Sequence, residues 1–302
     1  MNAFVSQLVL LSILALTCCN EKAPSPSGDE MPYETAAFKK YWYSGIAEID
    51  SYTLSQSRYG EQRKGEAVLI FVTEDLSKKK QVKLDDPDKS ADDKVSVLKM
   101  NFTKNFITGI YPYSMMLSVF KPVNQHQFPS SLKVTMSSQE WCGQVFTQMN
   151  LEGEKYKVHS YSYFEKDGDT DISLKKVLLE DEIWNTIRID HTSLPTGEIE
   201  IIPGLFFTRL NHVQLRNQKA HASKSEDAGG FVYTINFIDQ QRKLTIHFEK
   251  GFPHKITAWE EEIIAHGNIQ RTSGILDKTL YVDYWTKNKN EFQYLRDSLG
   301  LD

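Results

Sequence analysis

The sequence predicts a mainly β protein, built as a large antiparallel sheet or open half-barrel with a few packed helices. Runs rich in β-branched and aromatic residues follow one another at short spacing, as in antiparallel sheets. The chain carries 16 Phe, 14 Tyr and 5 Trp, whose flat rings pack well on pleated strands. In residues 243–249, Leu244, Ile246 and Phe248 alternate with polar residues, which indicates one buried and one solvent-facing side.

The first predicted element is a short helix that begins near Pro32 and continues through Phe38 and Tyr41. Alternating sequence starts at residues 45–49. The predicted strands that follow are 65–73, 95–102, 111–120, 132–149, 156–164, 198–202, 231–238, 243–249, 255–261 and 279–285. Two charge-dense segments that are poor in apolar residues, 77–94 and 216–230, are predicted to be mobile loops.

Two further helices are predicted from apolar side chains at helical spacing. Residues 180–187 place Ile183, Trp184 and Ile187 on one face. At the C-terminus, Asn290 with Gln293 resembles a capping box, and Gly300 stands where a helix would end. The stripe between them consists of Phe292, Leu295 and Leu299. We expect this C-terminal helix to pack against the sheet.

The amino-acid composition argues against several classes of protein. Among 302 residues, Lys and Arg number 35 and Asp and Glu number 40, giving a net charge of −5. A nucleic-acid partner is therefore not expected, because such proteins carry a surplus of basic residues. With 25% charged and 40% hydrophobic residues, the chain is unlike disordered, collagen-like or multi-spanning membrane proteins.

Residues 1–19 are predicted to be a lipoprotein signal peptide. They contain no charged side chain, and the apolar run at 8–16 is too short to span a bilayer. The sequence Leu16-Thr17-Cys18-Cys19-Asn20 resembles a bacterial lipobox, which makes Cys19 the predicted lipidated residue and Cys18 the alternative. The alternative interpretation of this segment is a plain signal peptide or a short membrane anchor. The lipobox predicts a protein of the bacterial cell envelope that is held in the membrane by its N-terminal lipid, at the outer membrane or the periplasmic face.

The rest of the chain divides into a tether and one domain. Residues 20–32 are dense in Pro, Ser and charge and are predicted to be flexible, extending about 3 Å per residue where polyproline-like. Residues 33–302 are predicted to form a single β-rich domain. Cys142 is the one cysteine beyond the lipobox, so no intramolecular disulfide is expected there and the hydrophobic core must supply the stability.

No catalytic residue, metal site or cofactor is predicted. If Glu152-Gly153 form a two-residue hairpin turn, Cys142 and His159 lie about 13 Å apart on one face, too far for a nucleophile and its base. The eight histidines are scattered, without the i, i+4 spacing of a helical metal site. Phosphate-binding, dinucleotide-binding and nucleophile-elbow motifs are absent from the sequence.

The same hairpin register separates two faces. The predicted core face contains Trp141, Val145, Met149, Tyr156, Val158 and Phe164. The opposite face carries Gln144, Gln148, Tyr161 and Tyr163, and this mixture of amides and aromatic rings is the predicted binding face. An ordinary solvent-exposed sheet surface would have the same composition.

Five short segments of the mature chain are distinctive: KYWYSG at 40–45, RYGEQRKG at 58–65, EWCGQ at 140–144, WNTIR at 184–188 and LPTG at 194–197. Together they resemble an uncharacterised bacterial lipoprotein family whose members are often labelled septum formation inhibitor Maf. Maf proteins themselves are nucleotide pyrophosphatases of α/β fold with an S-x-S-x-R-R phosphate motif. The nearest match here is Ser55-Gln56-Ser57-Arg58-Tyr59, which lacks the second arginine and leads into a predicted strand instead of a helix.

The resemblance therefore implies an envelope lipoprotein but no transferable catalytic site. We expect a binding or scaffold module whose partner is an envelope protein, a glycan or a lipid. The alternative is a hydrolase of nucleoside triphosphates that uses Ser55, Ser57 and Arg58 as phosphate contacts.

Overall fold

A computed structural model describes residues 31–265 and 267–301. The predicted signal peptide, Cys19, and the tether as far as residue 30 lie outside the described residues. Within the described part of the chain, no helix combines the length and hydrophobicity needed to cross a bilayer.

The described residues form one open sheet of fifteen strands, which confirms the mainly β prediction. The strands are β1 (Ala47–Arg58), β2 (Glu61–Ser77), β3 (Lys94–Thr108), β4 (Tyr111–Pro122), β5 (Lys133–Glu140), β6 (Gly143–Glu152), β7 (Lys155–Ser162), β8 (Thr170–Lys175), β9 (Leu178–Leu179), β10 (Gly197–Ile202), β11 (Gln218–Glu226), β12 (Phe231–Phe237), β13 (Arg242–Phe248), β14 (Ile256–Ala265) and β15 (Asn268–Val282). Their order across the sheet is β8-β7-β6-β5-β4-β3-β2-β1-β15-β14-β13-β12-β11-β10-β9. Neighbouring strands are antiparallel except β9 and β10, which are parallel.

Four α-helices accompany the sheet: α1 (Ala36–Trp42), α2 (Ile183–Asp190), α3 (Leu205–Asn211) and α4 (Tyr294–Ser298). Helices α1, α2 and α4 lie where the sequence predicts them, whereas α3 was not predicted. Thr35 caps α1 by accepting a hydrogen bond from the Phe38 amide at 3.1 Å. At the C-terminus, Asn290 begins a short 3-10 turn instead of capping α4, while Gly300 adopts the predicted left-handed conformation with φ +65°.

The sheet is strongly curled. Phe102 on β3 and Trp259 on β14 are four strand positions apart, which is about 19 Å across a flat sheet. Their ring centroids are nevertheless 5.2 Å apart, and both rings also pack against Trp184 of α2. The inner face of the sheet therefore wraps around α2.

A buried arginine fastens α2 to this inner face. Arg188 is completely buried, with Nη2 2.5 Å from Glu48 on β1 and Nε donating to the Pro253 carbonyl at 2.9 Å. Its guanidinium carbon also lies 4.8 Å from the centre of the Phe71 ring on β2. The ion pair with Glu48 offsets a charge that would be costly to bury alone.

The two outer strands of the sheet approach each other without pairing. Strands β8 and β9 stand at opposite ends of the strand order, yet residues 176–177 alone connect them. Lys175 at the end of β8 contacts Glu200 of β10 at 2.7 Å, and Asn217 donates to the Lys175 carbonyl at 3.2 Å. We call the gap between strand β8 and strands β10 and β11 the seam.

Three local predictions are corrected. Residues 132–149 form two strands, because β5 turns into β6 at Trp141 and Cys142; Trp141 is consequently 68% exposed instead of lying on the core face. The next turn is Gly153-Glu154, since Glu152 pairs with Lys155. A register shift of two residues keeps every side chain on its face, so the other strand positions assigned to the core face, at 145, 149, 156 and 158, are buried as predicted.

The predicted loop at 216–230 contains strand β11. Its inward-facing positions are filled by Gln218, Ala220 and Ala222, all of which are buried. Small and polar side chains gave this strand no visible hydrophobic alternation, although its inner face is part of the core.

Candidate functional site

Helix α3 is positioned by two carboxylates that precede α2. Glu180 accepts a hydrogen bond from the Gly204 amide and Asp181 accepts one from the Leu205 amide, each at 3.0 Å. Arg242 of β13 binds both oxygens of Glu180 at 2.6 Å. A Cβ at position 204 would come within 2.7 Å of the Glu180 carboxylate, so the close approach requires glycine. This ionic cluster holds α3 against the inner face of the sheet.

Burial changes the acid-base properties of the cluster. Desolvation and the charge of Glu180 raise the pKa of Asp181 to about 8. Lys104 is also buried there, 5.3 Å from the ring centres of Phe102 and Phe206, and burial lowers its pKa. The adjoining cavity has a volume of about 30 Å³, which is room for about one water molecule. Because so little space remains, we regard the cluster as structural.

A much larger cavity, of about 440 Å³, lies beside the seam. We call it the seam cavity. It is enclosed by the inner faces of β5–β8 on one side and by α3 and residues 212–215 on the other. Its apolar lining consists of Met136, Val145, Val158, Ile172, Leu205, Val213 and Leu215. This volume is within the range of about 300–1,000 Å³ that is usual for small-molecule sites.

The cavity exists because small side chains occupy inward positions near an unpaired sheet edge. Thr147 of β6 and Ser160 of β7 face each other across the strand pair, and their hydroxyl oxygens are 2.8 Å apart. Thr170 of edge strand β8 and Thr208 of α3 add two more hydroxyl groups. Four hydroxyl-bearing residues in place of large apolar ones leave this part of the interior unfilled and partly polar.

The mouth of the cavity is charged and bridges the seam. His212, just after α3, places Nδ1 3.0 and 3.1 Å from the two oxygens of Asp167 in the β7–β8 loop. Arg209 lies beside them with Nη2 3.2 Å from Glu140 and its guanidinium carbon 4.3 Å from the centre of the Phe164 ring. Its buried Nε and Nη1 have no hydrogen-bond partner among the described residues. Lys166 completes the basic side of the lining.

Three of the four residues on the predicted binding face come together, but on the outer surface. Gln144, Tyr161 and Tyr163 line an open groove of about 620 Å³ with Phe146. The ring of Tyr163 lies directly over Gly143, where a Cβ would come within 2.5 Å of it. Gln148 lies outside the groove lining and donates to the side chain of Asn150 at 2.7 Å.

The residues considered for catalysis do not converge. Cys142 sits in the exposed β5–β6 turn, where partial desolvation and the neighbouring Glu140 raise the pKa of its thiol. His159 pairs with Gln148 in the sheet and lies 3.3 Å from Asp171. Cys142 precedes the first residue of β6, whereas Gln148, the partner of His159, lies six residues further along the chain. Cys142 and His159 are therefore well separated along the sheet.

The alternative phosphate contacts are also separated. Ser55 and Ser57 lie on one side of β1. Because successive side chains of a strand point to opposite faces, Arg58 lies on the other side and is buried in the core. Arg58 donates to the Leu210 carbonyl and to the Tyr113 hydroxyl. Strand β1 continues directly into β2, so no helix N-terminus follows this segment.

Residues 31–265 and 267–301 contain no group of three or more His, Cys, Asp or Glu side chains arranged to hold a metal ion. No protein-family model, curated protein or solved structure matches the chain. The geometry of its own residues is therefore the basis for a functional proposal. Sequence reasoning missed the seam cavity, because its lining runs from Met136 to Leu215 and carries no motif.

Proposed function

We propose that this chain is a binding module of the bacterial cell envelope, anchored by a lipid on Cys19, and that its ligand occupies the seam cavity. The observation that carries the proposal is the 440 Å³ volume between β5–β8 and α3, with an apolar lining and a polar mouth. A concave space of this size, lined in part by apolar side chains and open at one charged mouth, is typical of small-molecule sites.

The arrangement of polar groups favours binding over catalysis. Thr147 and Ser160 hydrogen-bond each other, and Thr208 donates to the Leu205 carbonyl at 3.1 Å. The only described side chain that hydrogen-bonds the His212 ring is Asp167, so no described hydroxyl or thiol is activated by it. These groups orient a ligand but do not form a nucleophile and base.

The outer groove is a second candidate site. Tyr161 and Tyr163 are 57% and 71% exposed and lie beside Gln144 and Phe146, a combination suited to contact with an envelope protein, a glycan or a lipid. Whether the ligand occupies the seam cavity or the outer groove, the proposed function is binding. A nucleic-acid partner is not proposed, because the net charge is −5.

Anchoring is tested by replacing the two adjacent cysteines separately. Cys19→Ala should move the protein from the membrane fraction to the soluble fraction, while Cys18→Ala should leave it in the membrane. Release by Cys18→Ala alone would assign the lipid to Cys18. Retention of both variants, and of the double variant, in the membrane fraction would contradict the lipid anchor.

Ligand binding is tested by filling the cavity. Ile172 lines the cavity from β8, whereas the next residue, Ser173, points to the outer face of the same strand. Mass spectrometry of gently purified protein should detect a bound small molecule that Ile172→Trp excludes and Ser173→Trp retains. Equal small-molecule content in both variants would contradict the proposed site. Pyrophosphate release from nucleoside triphosphates that Arg58→Ala abolishes would instead support the hydrolase alternative.

A further inference from the structure

We infer that the ligand of the seam cavity is an amphipathic anion, with an apolar chain in the cavity and one acidic group at its mouth. The inference rests on the proposed function and adds the chemical class of the ligand. It follows from how apolar, hydroxyl and charged groups are distributed over the lining.

The interior of the cavity suits a chain without polar groups. Apolar side chains from β5, β6, β7 and β8 form one wall, and Leu205, Val213 and Leu215 form the other. The hydroxyls of Thr147 and Ser160 already hydrogen-bond each other, and Thr208 is bonded to its own helix. Thr170 and Gln214 are the other uncharged polar side chains of the lining, and a sugar or nucleoside would bury more polar groups than these two could pair. A hydrocarbon chain would not.

The mouth suits one negative charge. Asp167 is the single carboxylate among the lining residues of the described chain, and His212 contacts both of its oxygens. Lys166, the next residue to Asp167, has no ion-pair partner among the described residues. Arg209 adds two nitrogens without partners, although Glu140 balances part of its charge. An acidic group placed here meets an unpaired ammonium and polar hydrogens that need an acceptor.

A chain-length series tests the apolar part of the ligand. We expect saturated carboxylates from octanoate to hexadecanoate to bind with an affinity that rises roughly fourfold per methylene. The rise should stop once the enclosed volume is full. Competition with a bound fluorescent fatty acid would measure it in the wild type, Ile172→Trp and Ser173→Trp. A rise of the same size in Ile172→Trp as in the wild type would indicate a surface patch and would overturn the inference.

A head-group series tests the charge. Dodecanoate and dodecyl phosphate should both bind, while dodecanol, of equal chain length, should bind roughly tenfold or more weakly. Comparing the two anions shows whether the mouth prefers a free carboxylate or a phosphate head group. Dodecyltrimethylammonium should not compete.

Removing the mouth cation gives an independent test. Lys166→Gln should weaken dodecanoate roughly twofold to fivefold and leave dodecanol unchanged, because an exposed ion pair contributes little. The matched control Lys155→Gln removes a lysine from the far end of β7 and should change neither. Equal affinity for dodecanol and dodecanoate would overturn the amphipathic-anion inference while leaving the cavity as a binding site. If no amphiphile binds, or if Ile172→Trp binds as well as Ser173→Trp, the proposed function itself fails.

Discussion

The His212 imidazole contacts the Asp167 carboxylate across the seam, with Nδ1 3.0 Å from one oxygen and 3.1 Å from the other. His212 follows α3 in a left-handed conformation at φ +51°, and Asp167 belongs to the loop that joins β7 to β8. The pair therefore connects the two segments that border the mouth of the cavity. Because neither strand pairing nor a helix links these segments, their separation depends on side-chain contacts.

We expect Asp167→Asn to loosen the mouth without unfolding the protein. The amide keeps one acceptor for the imidazole but loses the negative charge, and a solvent-accessible pair such as this one, about a quarter exposed, contributes about 1 kcal/mol or less. Hydrogen exchange should become faster in residues 163–169 and 212–217 and remain unchanged in β1–β4. The control Asp171→Asn removes the carboxylate near His159 on the outer surface and should leave both segments as they were. Equal exchange in the two variants would contradict a role in closing the mouth.

The raised pKa of Asp181 predicts a pH dependence of stability. In the folded protein this carboxyl holds its proton up to about pH 8, whereas in the unfolded chain it ionises near pH 4. Between these values the native state binds more protons, so the free energy of unfolding falls as pH rises.

Asp181→Asn removes one titrating proton. It should therefore reduce the slope of the free energy of unfolding against pH by at most about 1.4 kcal/mol per pH unit. Urea unfolding at pH 5, 6, 7 and 8 would measure it, with wild type and variant converging in slope above pH 8. Asp50, whose pKa is also raised to about 8 by burial and by Glu48, should preserve a residual slope in the variant. Identical slopes in both proteins would contradict the assignment.

Gly274 is predicted to be essential for the curl of the sheet. It lies opposite Trp259 in the β14–β15 pair, and a Cβ there would approach the indole ring to 2.1 Å. Gly274→Ala should therefore displace Trp259 from Phe102 and Trp184 and destabilise the protein by about 1–3 kcal/mol. Gly251→Ala, where a Cβ meets nothing within 4 Å, is the matched control and should change stability by less than about 0.5 kcal/mol. Thermal unfolding of the two variants would compare them.

Arg242 and Lys104 should respond differently to the same substitution. Arg242→Met leaves the buried Glu180 and the partly buried Glu261 without their cation, and removing one partner of a buried ion pair typically costs about 3–5 kcal/mol. Lys104 has no hydrogen-bond partner among the residues that the structure describes, so Lys104→Met should lower the free energy of unfolding much less, by under about 1 kcal/mol. Denaturant unfolding would separate the two. A larger loss in Lys104→Met would show that its ammonium is the more important charge in the cluster.

Local patterns predicted much of this fold. Alternation at Leu244, Ile246 and Phe248 identified the buried side of β13, since successive side chains of a strand point to opposite faces. Strand β11, with alanines facing inward, and edge strand β8 were missed because their hydrophobic contrast is weak. The two-residue β9 was also missed, and only the end of β15, from residue 279, was predicted. The β5–β6 turn was missed because Trp141 and Cys142 read as a continuation of a strand.

The predicted grouping of the residues on the binding face matches the structure only in part, and their role stays a prediction. Gln144, Tyr161 and Tyr163 share one groove because side-chain parity survived an error of two residues in the hairpin register. The seam cavity could not be predicted in this way. Arg209 belongs to a helix that the sequence did not reveal, and His212 follows directly after it. They meet Glu140 at the end of β5 and Asp167 in the β7–β8 loop, which are distant in the chain.

The sequence by itself determined the class of fold, the position of many strands and, where the alternation is clear as in β13, the side of the strand that is buried, because these depend on neighbours within a few residues. It also carries the lipobox-like segment that predicts anchoring through Cys19. Tertiary structure alone decided the strand order, the curl that brings Phe102 to Trp259, and the seam at which the sheet stays open. These features depend on the packing of strands far apart in the chain, and the cavity exists only where that packing leaves an edge unpaired.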